Sequence, residues 1–187
     1  MQRIKRFMEI DNAVCEGEKV YLLPFTLNDI TTEYVSWLND PEVVKYSNQR
    51  FKIHSISSCL SYLASFDRTS NFFLKIVRKG SGQFIGTMTA YVSTQHQTVD
   101  IGIMIGLRSV WGNGLGQDAW NALIKWFIQQ STIRKITAGT MQSNTGMINL
   151  IVRSGMVFEA RRKRQELLNG VPEDLLYFGL FCEKYPF

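Results

Sequence analysis

The chain has 187 residues, of which 45% are apolar and 20% charged, and its formal net charge is +5. This length suits one domain with a proper hydrophobic core, and the balance of apolar and charged residues excludes an intrinsically disordered chain. No apolar run reaches the roughly 18 residues of a membrane span, and the basic N-terminus lacks the apolar segment of a secretory signal, so we expect a cytoplasmic protein that does not contact a membrane.

Cysteine and histidine usage bears on disulfides and metals. The three cysteines, Cys15, Cys59 and Cys182, are an odd number without a CxxC pair. That pattern favours reduced thiols over a disulfide framework or a zinc ribbon. The only histidines are His54 and His96, so we expect no metal site. The positive charge favours anionic company, such as nucleic acid or phosphorylated ligands, but a solvated basic surface explains it equally well.

The first half of the chain predicts a strand, two helices and three further strands. Residues 18–26 form the strand, Thr26 caps a helix over 27–39, and Ser55 caps a second helix over 55–66. The apolar face of the second helix comprises Ile56, Cys59, Leu60, Leu63 and Phe66. Three strand-like runs follow at 71–79, 82–92 and 98–107.

The second half predicts two further helices and three strands. One helix follows a glycine-rich stretch and ends near Gln130, a strand covers 133–141, and a helix covers 144–155 with Gly155 as its C-cap. Two last strands are separated by Asn169–Gly170, a strong hairpin signal. The order β-α-α-β-β-β-α-β-α-β-β indicates a mixed α/β sheet and not a regular βαβ alternation.

The stretch VWGNGLGQDAW at 110–120 places three glycines at alternate positions directly before a helix. Gly112, Gly114 and Gly116 allow tight turns, and the unpaired amides and positive dipole end of a helix start can receive a diphosphate. A Walker P-loop is disfavoured because its Lys-Ser/Thr end is missing. The dinucleotide fingerprint is disfavoured because Gln117 stands at its third glycine and no acidic residue follows at the required distance. A glycine-rich turn without a ligand remains the alternative.

Four motifs in this order resemble the GNAT N-acetyltransferases. IGIMIGLRSVWGNGLGQDAW resembles their acetyl-CoA motif [QR]-x-x-G-x-[GA], with Gly114 and Gly116 at its last two fixed positions and Trp111 where the family usually has Gln or Arg. SNTGMINLIVRSGMVFEARRKR resembles the family's N-x-x-S…GF segment through Asn144 and Gly155. WLNDPEVVKY and PEDLLYFGLF resemble the branch that contains the ribosomal-protein N-terminal acetyltransferases.

The resemblance implies an α/β fold, the GNAT fold, with a mixed, mostly antiparallel sheet, splayed central strands and four flanking helices. It spans roughly residues 18–184, so that residues 1–187 form a single N-acetyltransferase domain with an N-terminal extension over 1–17. It also implies acetyl-CoA as co-substrate, no metal, and a monomer or homodimer.

The resemblance further implies where acetyl-CoA binds. The pantetheine arm lies along Ile103, Met104 and Ile105 and pairs with main-chain groups, and the N–H of Met104 or Ile105 polarises the thioester carbonyl. Asn144 hydrogen-bonds the arm or the backbone near it, or caps a helix, and both roles can coexist. The diphosphate lies on the amides of residues 112–117, and the cofactor-binding residues of this loop are Trp111, Gly112, Asn113, Gly114, Leu115, Gly116 and Gln117.

The chemistry implied is direct attack of a neutral amine on the thioester carbon in a ternary complex. A base must remove a proton from the ammonium and an acid must return one to the thiolate. Asp100 is the candidate base, since it stands where this branch often carries Glu; the alternative is a solvated or salt-bridged carboxylate. The family's serine and tyrosine are replaced by Met147 and Ile151, so Tyr177 is the candidate acid. The alternatives for Tyr177 are a core tyrosine, with water or coenzyme A's own thiol sufficing as acid.

The branch resemblance indicates a protein N-terminus as the amine acceptor, with a polyamine, an amino acid or an amino-sugar nucleotide as alternatives. The helices at 27–39 and 55–66 and the hairpin tip at 168–173 are expected to wall the acceptor site. Three acidic residues are candidates to attract the amine and two aromatic residues to line the site: Glu33, Asp40, Glu42, Trp37 and Phe51.

Two other classes of function stay open. A nucleic-acid or ribosome-binding module would use the basic stretch ARRKRQE at 160–166. Strand alternation, however, sends Arg161 and Lys163 to one face and Arg162 and Arg164 to the other, which disfavours a continuous basic stripe and hence nucleic acid as a partner. A coenzyme A sensor without catalytic activity is the other class, because the two family hydroxyls are missing.

Overall fold

The computed structural model describes residues 13–130 and 132–182. The strands in this part of the chain are β1 Cys15–Glu16, β2 Val20–Pro24, β3 Phe72–Arg78, β4 Phe84–Ser93, β5 Thr98–Ile105, β6 Lys135–Met141, β7 Val157–Leu168 and β8 Val171–Phe181. The α-helices are α1 Thr32–Leu38, α2 Ile56–Ala64, α3 Leu115–Gln129 and α4 Thr145–Arg153. The strands form one sheet in the order β1-β2-β3-β4-β5-β6-β8-β7, and every neighbouring pair is antiparallel except β5 and β6.

The central strands β5 and β6 pair over a short distance and then separate. Their parallel register joins Thr98 to Lys135, Val99 to Ile136 and Asp100 to Thr137. Beyond Asp100 the register of β5 is with β4 alone, although β5 continues to Ile105. The two strands therefore form a wedge, and the predicted fold, a mixed and mostly antiparallel sheet with splayed central strands and four helices, is confirmed.

Two apolar clusters cover the two faces of the sheet. Helix α3 supplies Trp120, Leu123 and Phe127 to the larger cluster, at no more than 2% exposure. Helices α1 and α2 supply the smaller cluster, which is rich in aromatic side chains. Because strand side chains alternate, Ile103 and Ile105 of β5 pack against the larger cluster and Met104 packs against the smaller one. The side chains of β5 thus divide between the α3 and the α1–α2 faces.

The single helix predicted over 27–39 is wrong. Thr26 caps a 3₁₀ turn at Leu27–Asp29, in which the Asp29 carboxylate accepts hydrogen bonds from the main-chain N–H and the hydroxyl of Thr26, each at 2.7 Å. Helix α1 begins only after Thr31, whose hydroxyl caps it. The turn ends early because the local side-chain bonds of Asp29 compete with continuation of the helix.

Helix α2 confirms its predicted cap but not its predicted apolar face. Ser55 caps it through reciprocal hydrogen bonds with Ser58. Cys59 is buried, whereas Ile56 and Leu60 are 49% and 40% exposed. The apolar face is therefore wrong at these two positions, because the buried side of α2 is the narrow strip that meets the smaller cluster.

The predicted chain reversals in the second half are confirmed. Gly155 follows α4 with a φ of 82°, the left-handed conformation of a helix C-terminal glycine. Asn169 and Gly170 join β7 to β8 with φ values of 51° and 80°. Both residues being left-handed is typical of the type I′ hairpin turn, which suits the twist of the two strands.

Strand β7 departs from the strict alternation predicted for its basic residues. Its register with β8 shifts between Arg162 and Glu166, and Arg164 has a φ of 52°. The carboxylate of Asp174 holds this bulge by accepting hydrogen bonds from the Arg161 guanidinium and, at 2.7 Å, from the Arg164 main-chain N–H. The two-face alternation predicted for residues 161–164 is therefore wrong beyond Arg162.

The N-terminal boundary of the sheet lies inside the expected extension. Within residues 1–17, Cys15 and Glu16 form β1 and pair with Leu22 and Tyr21 of β2. Residues 1–12 of the extension, and the end of the expected core beyond 182, lie outside the described residues.

Three further features bear on the class of protein. No helix within 13–130 and 132–182 has the length and hydropathy that crossing a membrane requires. Cys15, Cys59 and Cys182 form no disulfide with one another, and burial raises the pKa of the Cys15 thiol to about 12. The same described residues contain no group of three or more His, Cys, Asp or Glu side chains arranged to hold a metal ion.

Candidate functional site

A cleft of about 870 Å³ opens where β5 and β6 separate. Its lining comes from β5, the glycine-rich loop, α4, the start of α3, and the region of α1 and α2. Ten of the residues predicted to bind the cofactor line it: Ile103, Met104, Ile105, Trp111, Gly112, Gly114, Leu115, Gly116, Gln117 and Asn144. Asn113, Asp100 and Tyr177 are not among the lining residues.

The glycine-rich loop presents bare main chain at the start of α3. Gly112 and Gly114 have φ values of 78° and 76°, a left-handed conformation that favours glycine. A Cβ added at Gly112 would have no atom within 4 Å, so this main chain is uncovered. Gly114 is the N-cap of α3 and has no side chain to cap it. The loop therefore fits a diphosphate, whose oxygens accept from first-turn N–H groups.

Two charged residues flank this loop in ways that the sequence did not indicate. Asp118 lies in the first turn of α3, and its carboxylate accepts main-chain hydrogen bonds from Glu18 at 2.9 Å, Lys19 at 2.8 Å and Val20 at 3.1 Å. The Lys19 Nζ lies 3.5 Å from where a Cβ on Gly114 would stand. The Asp118 carboxylate thus binds the main chain at the start of β2, and the Lys19 ammonium lies beside the glycine-rich loop. Lys19 was missed because it is about a hundred residues from the loop in sequence.

The main chain of β5 presents alternate residues to the wedge. The Ile105 carbonyl accepts a hydrogen bond from Trp111 Nε1 at 2.8 Å, on the side away from β4. The main-chain N–H of the next residue, Gly106, donates to the carbonyl of Ile85 on β4 at 3.0 Å. Alternation therefore directs the main-chain groups of Ile103 and Ile105 to the wedge and those of Met104 to β4.

Asn144 caps α4, which is one of its two predicted roles. Its side-chain oxygen accepts the main-chain N–H of Met147 at 3.2 Å, and its Nδ2 donates to Thr140 Oγ1 at 3.1 Å. The residue also lines the cleft beside Thr140 and Gly139 of β6. The cap therefore fixes the amide at the cleft wall.

Asp100 lies at the apex of the wedge, in the last residue pair that joins β5 to β6. Its carboxylate accepts a hydrogen bond from Thr137 Oγ1 at 2.7 Å, and Tyr91 is its cross-strand partner on β4. Asp100 is solvent-exposed, yet desolvation by the neighbouring strands raises the pKa of its carboxyl, and the Thr137 hydrogen bond opposes this in part. Gly102, two residues further on the same face, lines the cleft.

Tyr177 lies on β8, outside the cleft wall but next to it. It pairs with Gly139, a lining residue, and its ring lies 3.4 Å from where a Cβ on Gly139 would stand. The guanidinium of Arg162 lies 4.9 Å from the centre of the Tyr177 ring. The missing side chain of Gly139 is what brings this ring close to the cleft.

A pair of tyrosine hydroxyls lies on the opposite part of the cleft wall. The hydroxyls of Tyr62 on α2 and Tyr91 on β4 are 2.8 Å apart, and both residues line the cleft. Their rings pack against Phe66, and Tyr62 also meets Phe73. Burial and the neighbouring hydroxyl raise the pKa of Tyr62, so that this hydroxyl stays neutral. No pattern in the sequence indicates this pair, since one residue lies on a helix and the other on a distant strand.

Only part of the region predicted for the acceptor site lines the cleft. Tyr34 and Leu38 of α1 and Tyr62 of α2 line the cleft, as does Glu42. Asp40 forms an ion pair with Arg108 at 3.4 Å. The other predicted residues and the hairpin tip are not among the lining residues: Glu33, Asp40, Trp37, Phe51 and 168–173.

The two aromatic candidates fail to line the cleft for different reasons. Trp37 is 6% exposed and packs so closely on Gly106 that a Cβ there would lie 2.1 Å from its ring, which makes it part of the core. Phe51 is 67% exposed, and the Arg50 guanidinium lies 4.2 Å from its ring centre. One terminal nitrogen of the Arg50 guanidinium donates to the Leu167 carbonyl at 2.9 Å. This bond connects the loop that contains Arg50 to the β7–β8 hairpin.

A further tyrosine spans the wedge. Tyr46, in the loop after α1, donates from its hydroxyl to the Ser143 carbonyl at 3.2 Å, just before α4. Tyr46 lines the cleft together with Lys45, Ser47 and other residues of the same loop. This bond joins the loop after α1 to the segment that leads into α4, on the β6 side of the wedge.

The chain was also compared with known proteins. Residues 19–157 match the family model described as an acetyltransferase (GNAT) domain. Among solved structures, a ribosomal L7/L12 alpha-N-protein acetyltransferase in complex with coenzyme A superposes with a TM-score of 0.80 at 13% identity, covering 91% of this chain and 98% of that chain.

Two other similar structures carry different names. A spermidine N-acetyltransferase from Vibrio cholerae, in complex with CoA and spermine, has a TM-score of 0.78 at 15% identity and covers 88% of this chain and 96% of that chain. The microcin C7 self-immunity acetyltransferase, in complex with acetyl-CoA and AMP, has a TM-score of 0.76 at 20% identity and covers 88% of this chain and 93% of that chain. Likeness at these identities shows the fold and leaves the acceptor open.

Proposed function

The chain belongs to the GNAT acetyltransferase family, and from that premise we propose that it acetylates the N-terminal amine of a polypeptide by direct attack within a ternary complex. As a member of this family it is an acyltransferase that depends on acetyl-CoA, which supplies an acetyl group activated as a thioester. The observation that carries the proposal is the meeting, in one cleft, of an open strand edge on β5 and a bare glycine loop at the start of α3.

The cofactor half of the cleft is assigned to main-chain groups. The amides of Gly112 and of residues 114–117 bind the diphosphate, and the Lys19 ammonium beside Gly114 adds a positive charge. The wedge-facing groups of Ile103 and Ile105 pair with the arm, and Asn144 stands across the wedge from them. Asn113, whose N–H donates to Val110 at 3.3 Å, contributes by shaping the loop.

The oxyanion donor is assigned to Ile105. The sequence resemblance left Met104 and Ile105 as alternatives, and strand alternation directs the Met104 N–H to β4. The Ile105 N–H faces the wedge, where it stabilises negative charge that develops on the thioester oxygen. This assignment needs no particular side chain, which explains why an ordinary run of strand-forming residues serves there.

Asp100 is the proposed base. Its raised pKa brings the carboxylate closer to the range in which a base works at neutral pH. It lies at the apex of the wedge on the face that α1 and α2 cover, so it takes the amine's proton from that side. The Thr137 hydroxyl holds the carboxylate in place.

Tyr177 is the proposed donor of the proton that the leaving thiolate takes up. Its support is its position: the ring lies against Gly139, at the β6 wall of the cleft, where no side chain separates it from the wedge. Ile151, which stands at the family's tyrosine position, is fully buried and has no proton to give.

The charge of the cleft supports a singly charged amine as acceptor. Among the described residues that line the cleft, Glu42 is the only acid, and Lys45 and Arg153 line it as well. A polyamine carries several positive charges and calls for several carboxylates, whereas a polypeptide N-terminus carries one. An α-amine also has a pKa of about 8, against about 10.4 for an alkyl amine, so much more of it is neutral at pH 7. The Tyr62 and Tyr91 hydroxyls are suited to bind that amine.

The first test is the change in melting temperature on adding acetyl-CoA, with ATP, NAD and RNA as controls. At a hundred times its dissociation constant, a specific ligand stabilises a protein by about 2.7 kcal/mol, or roughly 5–10 °C at this size. Stabilisation by acetyl-CoA alone supports the proposal. Stabilisation by RNA, with none by acetyl-CoA, contradicts it and favours a nucleic-acid-binding module.

The second test is thiol release from acetyl-CoA with a panel of amines. The panel contains hexapeptides with free and with blocked N-termini, spermidine, and single amino acids. We expect turnover with the free peptides and none with the blocked ones. Faster turnover with spermidine than with every peptide contradicts the acceptor assignment, and binding of acetyl-CoA without any turnover contradicts catalysis itself.

A further inference from the structure

Trp111 makes one hydrogen bond at the open end of the wedge, and we propose that this bond makes it the positioning residue for the cofactor arm. Its indole Nε1 donates to the Ile105 carbonyl at 2.8 Å, and its ring lines the cleft at 44% exposure. The inference rests on the proposed cofactor site. It adds that the indole occupies one main-chain acceptor and so decides which β5 groups the arm uses.

The Ile105 carbonyl needs such a donor because β6 does not reach it. The β5–β6 register ends at Asp100 and Thr137, and the Ile105 main chain faces the open wedge five residues later. A strand carbonyl in that position has lost its normal partner in the neighbouring strand. The indole N–H takes the place that a β6 residue has in an unsplayed sheet, which stabilises the separated strands before any ligand arrives.

The indole is itself held in place by the turn that precedes it. The main-chain N–H of Trp111 donates to the Arg108 carbonyl at 3.1 Å, which closes the 3₁₀ turn Arg108–Val110. The Arg108 guanidinium lies 5.7 Å from the centre of the Trp111 ring, and Arg108 is anchored to Asp40 by the ion pair at 3.4 Å. The main chain of Trp111 is therefore held by Arg108, and the single donor of its rigid ring is held by the Ile105 carbonyl.

The consequence is a restricted register for the arm. With the Ile105 carbonyl occupied, the wedge-facing groups that β5 still offers are the Ile105 N–H and, further into the wedge, the main-chain groups of Ile103 and Ile101. The nearest carbonyl of β5 that is left for the arm is that of Ile103, one strand repeat deeper than Ile105. Trp111 thus sets how far the arm enters the wedge, and so where the acetyl group stands relative to Asp100.

The matched variants are Trp111→Phe, Trp111→Gln and Trp126→Phe. Phenylalanine keeps an aromatic ring and loses the N–H, and glutamine restores a donor without the ring. Trp126 of α3 is the control because it is not among the lining residues. Its ring centre lies 5.4 Å from that of Phe72 and 4.8 Å from that of Phe127. Calorimetric titration with acetyl-CoA measures the dissociation constant of each variant.

We expect Trp111→Phe to weaken acetyl-CoA binding about fivefold, because without this hydrogen bond a smaller fraction of the unliganded molecules has the wedge arranged for the arm, and one ordinary hydrogen bond corresponds to that fold-change. Trp111→Gln recovers most of that loss, and Trp126→Phe stays within about twofold of the unmodified protein. Equal binding by Trp111→Phe and the unmodified protein overturns the inference. So does an equal loss in Trp126→Phe, which would indicate a general effect on packing.

Nuclear magnetic resonance of the unmodified protein gives an independent readout. The Trp111 indole N–H is expected to exchange slowly with solvent, both alone and with acetyl-CoA, because its bond to Ile105 persists in the loaded protein. Fast exchange in either state overturns the inference. Failure of the unmodified protein to bind acetyl-CoA at all contradicts the proposed cofactor site first, which separates the two failures.

Discussion

The two halves of the cleft are built from different parts of the polypeptide. The proposed cofactor half consists mostly of main-chain groups on β5 and in the glycine-rich loop before α3, and these groups lie within a single stretch of about twenty residues, with Lys19 and Asn144 added from elsewhere in the chain. The acceptor half is made of side chains from α1, the loop after it, α2 and β4, which the fold brings together. A main-chain site is encoded locally and tolerates changes of side chain, whereas a side-chain site changes with every substitution. One fold can therefore keep one cofactor while its acceptors differ.

The largest expected effect is on transfer to the acceptor, from Asp100→Asn at the apex of the wedge. We expect kcat with the best peptide to fall about a hundredfold at pH 7, the usual contribution of a general base. Acetyl-CoA affinity should stay within about twofold, since Asp100 is outside the cofactor half. The control is Asp67→Asn, which changes an exposed carboxylate beyond α2. A fall in acetyl-CoA affinity that matches the fall in kcat would assign Asp100 to structure.

The pH dependence sharpens the same assignment. The base acts when it is deprotonated, and the pKa of Asp100 is raised, so activity is lost on acidification at a higher pH than an ordinary carboxyl would give. Thr137→Val removes the hydrogen bond that favours the charged carboxylate and moves this loss to higher pH still. A pH profile of kcat that is the same in Thr137→Val and in the unmodified protein contradicts Asp100 as the base.

Adding a side chain in the glycine-rich loop should weaken acetyl-CoA binding. Gly114→Val should raise the dissociation constant of acetyl-CoA by at least about tenfold, because a branched residue is strained at a φ of 76° and displaces the main chain. Gly80→Val is the matched control, since Gly80 has a φ of 79° in the β3–β4 turn. Both variants lose similar stability in a melting experiment. Equal acetyl-CoA binding by the two would show that the loop does not hold the diphosphate.

A smaller effect is expected from the tyrosine pair. Tyr62→Phe keeps the packed ring and removes a hydroxyl, and we expect about a fivefold rise in KM for a peptide with kcat little changed. Tyr21→Phe is the control, because Tyr21 lies on β2 beneath the Lys79 ammonium, 4.6 Å from its ring centre. The same rise in both variants, or a rise in the KM for acetyl-CoA, would contradict an acceptor role for the pair.

The smallest effect separates the two roles of Asn144. Asn144→Ala removes the α4 cap and should cost about 1 kcal/mol, or roughly 2–4 °C in melting temperature. Asn144→Asp keeps an oxygen that caps the helix, so it should melt close to the unmodified protein. Weaker acetyl-CoA binding in the aspartate variant then reports the amide's own contact with the cofactor, and unchanged binding leaves Asn144 as a cap alone.

Features that depend on neighbouring residues in the chain were predicted from the sequence, and contacts between distant segments were not. The run 98–107, the glycines before α3 and the Asn169–Gly170 turn were predicted because each depends on neighbours in the chain. The apolar residues Ile56 and Leu60 were placed inward because helical spacing gives a face but not how much of that face another element covers.

Contacts between distant segments could not be predicted in this way. Nothing near Trp37 indicates that a glycine, Gly106, leaves room for its ring and draws it into the core. The bulge in β7 depends on Asp174 of the next strand, and the hydroxyl pair depends on how α2 lies over β4. A single sequence contains these contacts only through the energy of the complete fold, which no local pattern reports.

The position of the last strand has a consequence for how the protein is made. In the sheet, β8 lies between β6 and β7 although it follows β7 in the sequence, so a ribosome-bound chain that ends before residue 171 leaves β6 without a neighbour on that side. One wall of the wedge is therefore completed only after β8, residues 171–181, has been synthesised. Meanwhile Asp118 must find the main chain of residues 18–20, about a hundred residues earlier, before α3 is anchored. Such distant contacts form slowly, so the cleft forms only after β8 has been synthesised, and a nascent chain that ends before β8 lacks one wall of the wedge.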